Sequence, residues 1–489
     1  MSGIDYLILL LPEILLAAGG LGILILGLVW RSGKAYRPLS ILGILVALGA
    51  LAAALATSGV RGSLPQGMLA VDPFTGFFRV LGLACAALVL VLGLGHERLG
   101  SEFPGLLLFA VLGILLTAGG AHLVMIYVGI ELLSISSYVL AGLLREEPRS
   151  NEAAIKYFLY GAVAAAVMVY GFSFLLGLTG SLELSGVAEG LSAPAAGVES
   201  LRWMALPAIV LMMVGFGFKV AAVPFHQWSP DVYEGAPTPV TAFLSVGPKA
   251  AGFAVMARVL LVALPALQAD WAVLIAALAA VSMTVGNLIA LWQTGMKRLL
   301  AYSSIAQAGY MLIGLASLGG RGEAPLPADG VVALLVYLAA YLLTNLGAFA
   351  VVVSVEDATG SDAIAGYAGL VHRAPLLAGA LVFYFHSLVG ITPLACFLGK
   401  FFIFSAAIDA RLYWLAALGV VNSVISLAYY FRVVRLMFFE PVGGKQEPVP
   451  VRRNLGVAVA VTWAGTLGLV ILATPVIAWA TRSAEFLVR

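Results

Sequence analysis

The chain alternates between long apolar runs and short polar connections over its whole length. An α-helix needs about 20 apolar residues to cross the hydrocarbon core of a bilayer. Fourteen apolar runs of roughly this length can be marked in the 489 residues, and each predicts one membrane-spanning helix. The predicted spans are 6–30, 38–58, 74–95, 104–119, 122–144, 153–178, 205–226, 238–263, 271–292, 299–317, 330–355, 374–400, 412–437 and 454–480.

The connections between these runs are mostly short, and the longest polar one reaches from Thr179 to Arg202. We therefore expect an all-α polytopic membrane protein in which residues 1–489 form a single transmembrane helical bundle. No basic segment precedes the first run, and it lacks a convincing cleavage pattern, so Tyr6 to Trp30 is interpreted as a retained span.

Composition agrees with this interpretation and excludes other classes. Hydrophobic residues make up 62% of the chain and charged residues 10%, whereas soluble domains have about 25% charged residues. The net charge of +2 and the lack of basic runs with interleaved aromatic residues argue against nucleic-acid binding. Cys85 and Cys396 stand alone in apolar segments, so neither a disulfide framework nor a metal or iron–sulfur site is expected.

The distribution of loop lysines and arginines predicts the orientation. If the N-terminus lies outside, the inner loops carry twelve of these residues and the outer side carries six. This asymmetry favours both termini on the outer side. The inner set is Arg31, Lys34, Arg37, Arg98, Arg145, Arg149, Lys297, Arg298, Arg373, Lys445, Arg452 and Arg453, and the outer set is Arg61, Arg202, Arg321, Arg411, Arg482 and Arg489.

A few charged residues remain inside the predicted spans. Arg432 and Arg435 are close enough to a span end to reach the interface, and Arg79 and Arg258 are expected to do the same or to cap a helix. Glu131 lies deeper, roughly 13 Å into the fifth span at 1.5 Å per residue. Lys249 is also near the middle of its span. Buried charges at such depth must be paired, neutral or hydrated, and they indicate either a charge relay or a static ion pair that fixes packing.

Prolines interrupt two of the spans that carry basic residues. In the seventh span Lys219 is followed by Pro224, and in the twelfth His386 is followed by Pro393, with Lys400 seven residues further on. Because these spans are five helices apart, the second unit would be inverted relative to the first, as in many transporters with discontinuous helices. We therefore predict two inverted five-helix repeats, at 104–263 and 271–437, with discontinuous helices 7 and 12.

Several segments together resemble a known family, the antiporter-like membrane subunits of respiratory complex I. The segments are Gly129–Tyr138, Lys219–His226, Tyr233–Leu244, Lys249, Met296–Tyr310 and Gly390–Lys400. Within the family the similarity is closest to the subunit N group, the counterpart of mitochondrial subunit two. Subunit L has an additional long lateral helix, whereas this chain stops after its fourteenth span, and subunit M has a glutamate where this chain has Lys400.

The resemblance implies specific roles for individual residues. Glu131 is expected to pair with Lys219, Lys249 to be the central relay and Lys400 to be the terminal group. His226 matches a position that bridges Lys219 and Lys249 through water. Lys156 also has a counterpart in the family. Some paralogues have a histidine in the motif of the tenth span, where this chain has Ser303 and Ser304, so a proton step there would need water held by hydroxyl groups.

The implied function is that of a proton-translocating membrane subunit of an NADH:quinone oxidoreductase. Opening and closing of the pair between Glu131 and Lys219 would change how readily the lysine releases its proton. The chain has no Gly-rich nucleotide motif and no cluster ligands, so NADH, FMN, the iron–sulfur clusters and quinone are expected in partner subunits. The expected partners are the other membrane and peripheral subunits and the lipid of a bacterial inner membrane.

Three other interpretations remain open from the sequence. A subunit of a cation/proton antiporter or of a membrane-bound hydrogenase would share the fold and the charged row. A solute transporter would need a midplane pocket shaped for a ligand, which a row of lysines does not indicate. A purely structural bundle would tolerate loss of the buried charges.

Overall fold

The computed structural model describes residues 3–30, 35–192, 198–319, 327–440 and 448–488. Five of the residues used for the charge asymmetry, Arg31, Lys34, Arg321, Lys445 and Arg489, lie outside these ranges. The first ten helices are α1 Gly3–Leu9, α2 Leu11–Val29, α3 Tyr36–Ala56, α4 Pro73–Gly93, α5 Phe103–Gly119, α6 Leu123–Ala141, α7 Pro148–Thr179, α8 Leu184–Ser192, α9 Val198–Val220 and α10 Trp228–Gly235. The remaining helices are α11 Thr238–Arg258, α12 Gln268–Ala290, α13 Met296–Ala316, α14 Pro327–Thr359, α15 Leu370–Arg373, α16 Pro375–Val389, α17 Ala395–Asp409, α18 Tyr413–Phe439, α19 Arg453–Ile471 and α20 Ala473–Val488.

Short elements connect some of these helices. A two-stranded antiparallel hairpin, β1 Gly62–Ser63 and β2 Ala70–Val71, precedes α4. A turn of π-helix, Val259–Ala263, continues α11. The single turns of 3-10 helix are Pro65–Gly67, Glu97–Leu99, Pro265–Leu267, Ser317–Gly319 and Ile364–Tyr367.

The helical architecture predicted from the apolar runs is confirmed. Within the described ranges, twelve helices are long and apolar enough to span a membrane. Two shorter apolar helices, α5 and α16, fall on the fourth and twelfth predicted spans. The chain is thus a multi-pass membrane protein. The assignment of two inverted repeats at 104–263 and 271–437 stays a prediction.

The helices form an inner and an outer set. Helices α11, α13 and α14 are buried over most of their length, while most residues of α2, α7 and α19 are partly or fully exposed. The exposed faces are apolar, with side chains such as Leu28, Val163 and Val424 more than half exposed. Such faces suit contact with lipid, since hydrocarbon replaces water around them. The inner helices carry Lys249 and the polar residues that surround it.

The seventh span is discontinuous, as expected from Pro224. Helix α9 ends at Val220, because Ala221 takes a positive φ of 58°, and α10 begins at Trp228. The Val223–Pro224 peptide is cis. Side chains from other parts of the bundle satisfy the freed backbone: Val223 N donates to Ser282 Oγ at 2.9 Å, and Trp228 Nε1 donates to Phe218 O at 3.1 Å. Such replacement partners are what allow a helix to break inside a membrane.

The twelfth span is broken in the same way. Helix α16 ends at Val389, Gly390 takes a φ of 90°, and α17 begins at Ala395 after a cis Thr392–Pro393 peptide. The predicted end of this span at residue 400 was wrong, because the apolar sequence restarts after Pro393 and the helix continues to Asp409. Lys400 therefore lies beside the break, in the interior, and not near the end of the span.

Arg79 and Arg258 do not reach toward the interface, but each takes the other role expected of it and caps a helix. Arg79 NH2 donates to the carbonyl of Leu9, the last residue of α1, at 2.9 Å. Arg79 is buried and forms a two-pronged ion pair with Glu13, at 2.8 and 2.9 Å. Arg258 is buried and pairs with Asp72, at 2.8 Å from NH1 to Oδ2 and 3.0 Å from NH2 to Oδ1. Its Nε also donates to Ala118 O at the end of α5, so it does cap a helix. No acidic residue lies within four positions of either arginine in the sequence, and the carboxylates that pair with them come from other segments.

Candidate functional site

Three lysines lie deep in the bundle without a carboxylate in contact. Lys219, Lys249 and Lys400 are 3%, 1% and 3% exposed. Among the described residues, none of the three has a carboxylate oxygen within 4.0 Å, whereas the buried Arg79 and Arg258 both do. Because a buried charge normally requires a counter-charge, these three lysines, called the row below, are candidate functional residues.

Lys219 is held by a hydroxyl group of α6. It occupies the last turn of α9, and its Nζ donates to Ser134 Oγ at 2.5 Å. Ser134 in turn donates to Ile130 O of its own helix. The lysine is thus fixed at the edge of the break by a neutral group.

Glu131 does not form the direct contact with Lys219 that the resemblance implied. It lies one turn before Ser134 on α6, is half-buried, and is within electrostatic range of Lys219. Its buried Oε1 has no hydrogen-bond partner. The acid and the lysine therefore stand close to each other as an open pair, in which the lysine is bound to Ser134.

Lys249 is held at the centre of the bundle by α13. Its Nζ donates to Ser304 O at 2.7 Å. The Ser304 hydroxyl shares a hydrogen bond of 3.2 Å with Tyr233 OH. Tyr233 also donates to Leu244 O at 3.3 Å, the carbonyl that Pro248 leaves without its usual helical partner. The proline in α11 thus recruits a tyrosine hydroxyl to the neighbourhood of Lys249.

Lys400 lies against the end of a half-helix. Its Nζ donates to Val389 O at 2.9 Å and to Ser423 Oγ at 3.1 Å. It also stands over the ring of Tyr310, 4.2 Å from the centroid. Val389 is the last residue of α16, so the lysine sits at the negative end of that helix dipole.

His226 belongs to the non-helical segment between α9 and α10. Its Nδ1 is buried and has no hydrogen-bond partner, and the ring is within electrostatic range of Lys249. It contacts neither Lys219 nor Lys249 through a direct hydrogen bond. A role between these lysines would therefore require intervening water, as the resemblance implied.

Lys156 lies apart from the row. It is 37% exposed and pairs with Asp231 at 2.6 Å and with Glu152 at 2.7 Å. Arg298 completes this cluster, at 2.7 Å from Asp231 and 2.8 Å from Glu234. The structure therefore brings Lys156 to a partly exposed charge network that joins α7, α10 and α13.

Sequence reasoning pointed to Ser303 and Ser304 but missed the other neutral groups that surround the lysines. Ser303, Ser304, Gln307 and Tyr310 of α13 are all buried. Ser303 shares a hydrogen bond with Tyr430, and Tyr337 donates to Gln307. Their spacing of three to four residues places Ser303, Gln307 and Tyr310 on one face of α13. That polar stripe in an otherwise apolar helix is the signal that could have identified them.

A charged cavity of about 720 Å³ opens where α11 and α13 begin. Its lining includes Lys297, which donates to Ala236 O at 3.1 Å and lies 3.7 Å from Glu356. Glu356 accepts a hydrogen bond from Thr238 in the first turn of α11. The cavity thus brings water-accessible space to the end of the helix that carries Lys249.

The site has no apparent metal ligand set. Over the part of the chain that the structure describes, His, Cys, Asp and Glu side chains form no group of three able to hold a metal ion. Cys85 and Cys396 are both free and buried. The chemistry of the row is therefore that of amines, hydroxyls, amides, one imidazole and one carboxyl group.

Comparison with known proteins identifies the family. Residues 120–426 match the family described as NADH:quinone oxidoreductase/Mrp antiporter, TM. NADH-quinone oxidoreductase subunit N 2 of Symbiobacterium thermophilum is 46% identical over 86% of this chain and 84% of its own length. NADH-quinone oxidoreductase subunit N of Trichlorobacter lovleyi is 42% identical over 94% of this chain and 93% of its own.

Solved structures agree with the sequence comparison. A chain of respiratory complex I from Thermus thermophilus, solved with bound aureothin, has a TM-score of 0.79 and 35% identity, and the match covers 96% of this chain and 99% of that one. A chain of the Mrp complex from Dietzia sp. has a TM-score of 0.84 at 19% identity, over 100% and 98% of the two chains, which shows a shared fold alone. The chain therefore belongs to the NADH:quinone oxidoreductase/Mrp antiporter transmembrane family, within which it is an antiporter-like membrane subunit of the subunit N type.

Proposed function

We propose that this chain moves protons across a bacterial inner membrane as subunit N of an NADH:quinone oxidoreductase, and that Glu131, Lys219, His226, Lys249 and Lys400 form its relay. The observation that carries the proposal is the row of three buried lysines, each bound by neutral oxygen atoms and by no carboxylate in contact. A purely structural bundle would gain nothing from these charges, since an unpaired buried charge is costly.

The Glu131 and Lys219 pair supplies the switch. In the open arrangement Lys219 is bound to Ser134, and Glu131 has a free buried oxygen. If the two groups approach, the carboxylate favours the charged lysine, and if they separate, desolvation favours release of its proton. A change at this pair, driven by the redox partners, would then pass to Lys249 through His226 and water.

The two broken helices support the same function. Breaks beside Lys219 and Lys400 expose backbone groups within the bundle, where they can bind ions or water. Lys249 lies on the intact helix between them, with the charged cavity at the start of that helix. In the orientation that the loop charges favour, with both termini outside, this cavity opens inward. Lys400 would then be the group from which the proton leaves the row.

The reaction of the whole complex belongs to its other subunits. The relatives are named for oxidation of NADH by quinone, and the proposed partners are the membrane and peripheral subunits that hold NADH, FMN, the iron–sulfur clusters and quinone. This chain supplies proton transfer only.

The decisive experiment is Lys249→Ala in the assembled complex, reconstituted in vesicles. We expect NADH:quinone electron transfer to persist and proton translocation to fall about 100-fold, the lower range for loss of a positioned acid–base group. Lys156→Ala, which alters an exposed lysine, is the matched control and should pump normally. Normal pumping by the Lys249 variant at equal complex content would overturn the proposal. Proton uptake driven by an imposed sodium gradient, without NADH, would point to a cation antiporter instead.

A further inference from the structure

Two side chains share the free end of the half-helix α16. The last carbonyl groups of a helix have no intrahelical partner and need other donors. Leu388 O accepts from Gln307 Nε2 at 3.0 Å, and the next carbonyl, Val389 O, accepts from Lys400 Nζ at 2.9 Å. Gln307 and Lys400 are 1% and 3% exposed, so both donors are shielded from bulk water. The amide and the ammonium group thus cap adjacent carbonyls.

Gln307 also connects this helix end to the segment that binds Lys249. Its Oε1 accepts a hydrogen bond from Tyr337 OH, which fixes the amide orientation. Ser303, one turn earlier on α13, shares a hydrogen bond with Tyr430, and Ser304 O binds Lys249. A single turn of α13 therefore contacts the surroundings of both lysines.

The two caps respond differently to proton transfer. A hydrogen bond from an ammonium group is roughly twice as strong as one from a neutral donor, so Lys400 holds Val389 O more weakly after it releases its proton. Gln307 carries no charge and holds Leu388 O equally in both states. Adjacent carbonyls of one helix end also cannot move independently, because they are joined by a single residue.

We propose that Gln307 is a positioning residue that holds the end of α16 in place while Lys400 gains and loses its proton, and that it thereby fixes the pH at which Lys400 exchanges protons. The inference rests on the proposed relay. Without the Gln307 amide, Leu388 O would be left unpaired beside Lys400. That carbonyl would become a second acceptor for the ammonium group and would favour the charged form.

The test is the pH profile of NADH-driven proton translocation by the whole complex in vesicles. Gln307→Met keeps the length of the side chain and removes both hydrogen bonds. We expect the midpoint for proton release to move to higher pH by about one unit, the effect of one additional hydrogen bond to a charged group. Gln268→Met is the matched control, since Gln268 also donates to a backbone carbonyl, Leu318 O at 2.5 Å, but lies at the start of α12 and does not bond to α16. Its profile should equal that of the wild type.

A purely structural glutamine would lower the amplitude of pumping without moving the midpoint, and that result would overturn the inference. If Gln307→Met fails to assemble, Tyr337→Phe decides the question, because it removes only the hydroxyl group that orients the amide. An unchanged midpoint in Tyr337→Phe would then overturn the inference. The Lys249→Ala experiment separates the two proposals. Normal proton translocation by that variant rejects the relay. If Lys249→Ala is inactive but the pH midpoint of Gln307→Met equals that of the wild type, only the role of Gln307 is rejected.

Discussion

Lys219 Nζ and Ser134 Oγ are 2.5 Å apart, and this hydrogen bond takes the place of a direct ion pair between Lys219 and Glu131. Ser134 and Glu131 are one turn apart on α6. A modest movement of the lysine side chain would therefore exchange the hydroxyl for the carboxylate. The structure shows one arrangement of a pair that has a second acceptor within electrostatic range.

Ser134→Ala tests whether this hydroxyl keeps the pair open. Without it, Lys219 still has Glu131 within electrostatic range on α6, and a closed pair should retain the proton. We expect proton translocation to fall about fivefold, the effect of one buried hydrogen bond of about 1 kcal/mol, with electron transfer and assembly intact. Ser136→Ala, another buried serine of α6, is the control. Equal pumping by Ser134→Ala and wild type would show that the hydroxyl only fills space.

Glu131→Gln tests the role of the carboxylate in the pair that Glu131 forms with Lys219. The amide keeps the volume of the side chain but cannot supply the negative charge that favours protonated Lys219. We expect an assembled complex whose proton translocation is impaired about 100-fold, as for loss of an acid–base group, and Lys219→Ala should behave alike. Vesicle acidification driven by NADH is the measurement. Wild-type acidification by both variants at matched complex content would contradict a role for the pair.

Unlike Glu131 and Lys219, Lys156 is expected to be unnecessary for proton translocation. It is 37% exposed and belongs to a network with Asp231, Glu152 and Arg298, where solvent screens each charge. Lys156→Met should cost at most about 1 kcal/mol of stability, which is the range for exposed ion pairs. Thermal unfolding of the detergent-solubilised complex measures this cost, and proton translocation should stay at the wild-type level. A strong loss of pumping would bring Lys156 back into the relay that its counterpart in the family suggested.

The Asp72–Arg258 ion pair should make the stability of the subunit depend on pH. Asp72 caps α4 by accepting from Thr75 N at 2.7 Å, and it pairs with buried Arg258 at 2.8 Å. Burial would raise the pKa of Asp72, but the Arg258 guanidinium and the Thr75 hydrogen bonds outweigh burial and hold the pKa below its usual value. The stabilisation is therefore fully present above the ordinary aspartate pKa and is lost as the pH falls through the lowered value.

Asp72→Asn should consequently destabilise the subunit at neutral pH by about 3–5 kcal/mol, because it strands a buried arginine. The loss should be visible as a lower midpoint in thermal unfolding of the complex. In wild type, unfolding should become easier only well below pH 4, and the variant should lack this acid-dependent contribution. Equal midpoints for variant and wild type at pH 7 would show that the pair is replaceable.

The sequence was sufficient for the parts of the fold that depend on local composition. Apolar runs predicted the spans, and Pro224 and Pro393 predicted the breaks, because a missing N–H and a fixed φ act on the residues next to them. The same reasoning placed Lys219, Lys249 and Lys400 inside the bundle, although it did not predict that Arg79 and Arg258 are buried as well. These features follow from two local free-energy costs. Apolar side chains are unfavourable in water, and backbone polar groups inside the membrane are unfavourable without hydrogen-bond partners.

The partners of the charged groups could not be predicted in the same way. Arg258 meets Asp72 across 186 positions of the sequence, and Gln307 meets Leu388 across 81. Such contacts depend on which helices pack together, and apolar runs do not specify this. The exposed position of Lys156 was missed for the same reason, since its carboxylate partner Asp231 comes from the second half of the broken seventh span.

Lys400→Arg tests whether the terminal group of the row must lose its proton. Lys400 binds Val389 O and Ser423 Oγ, and both are neutral acceptors that hold a cation without trapping its proton. Arginine can use the same acceptors but does not deprotonate in proteins. The variant should therefore assemble and transfer electrons while proton translocation falls about 100-fold or more, as for loss of a proton-transfer group.

Because Lys400 packs against Gly390 and leaves little room for a larger side chain, Lys400→Met serves as the neutral comparison with nearly the same volume. A relay requires both variants to fail in proton translocation at matched complex content. A structural cation requires the arginine variant to pump like the wild type and only the methionine variant to fail, and that pattern would move the exit of the row away from Lys400.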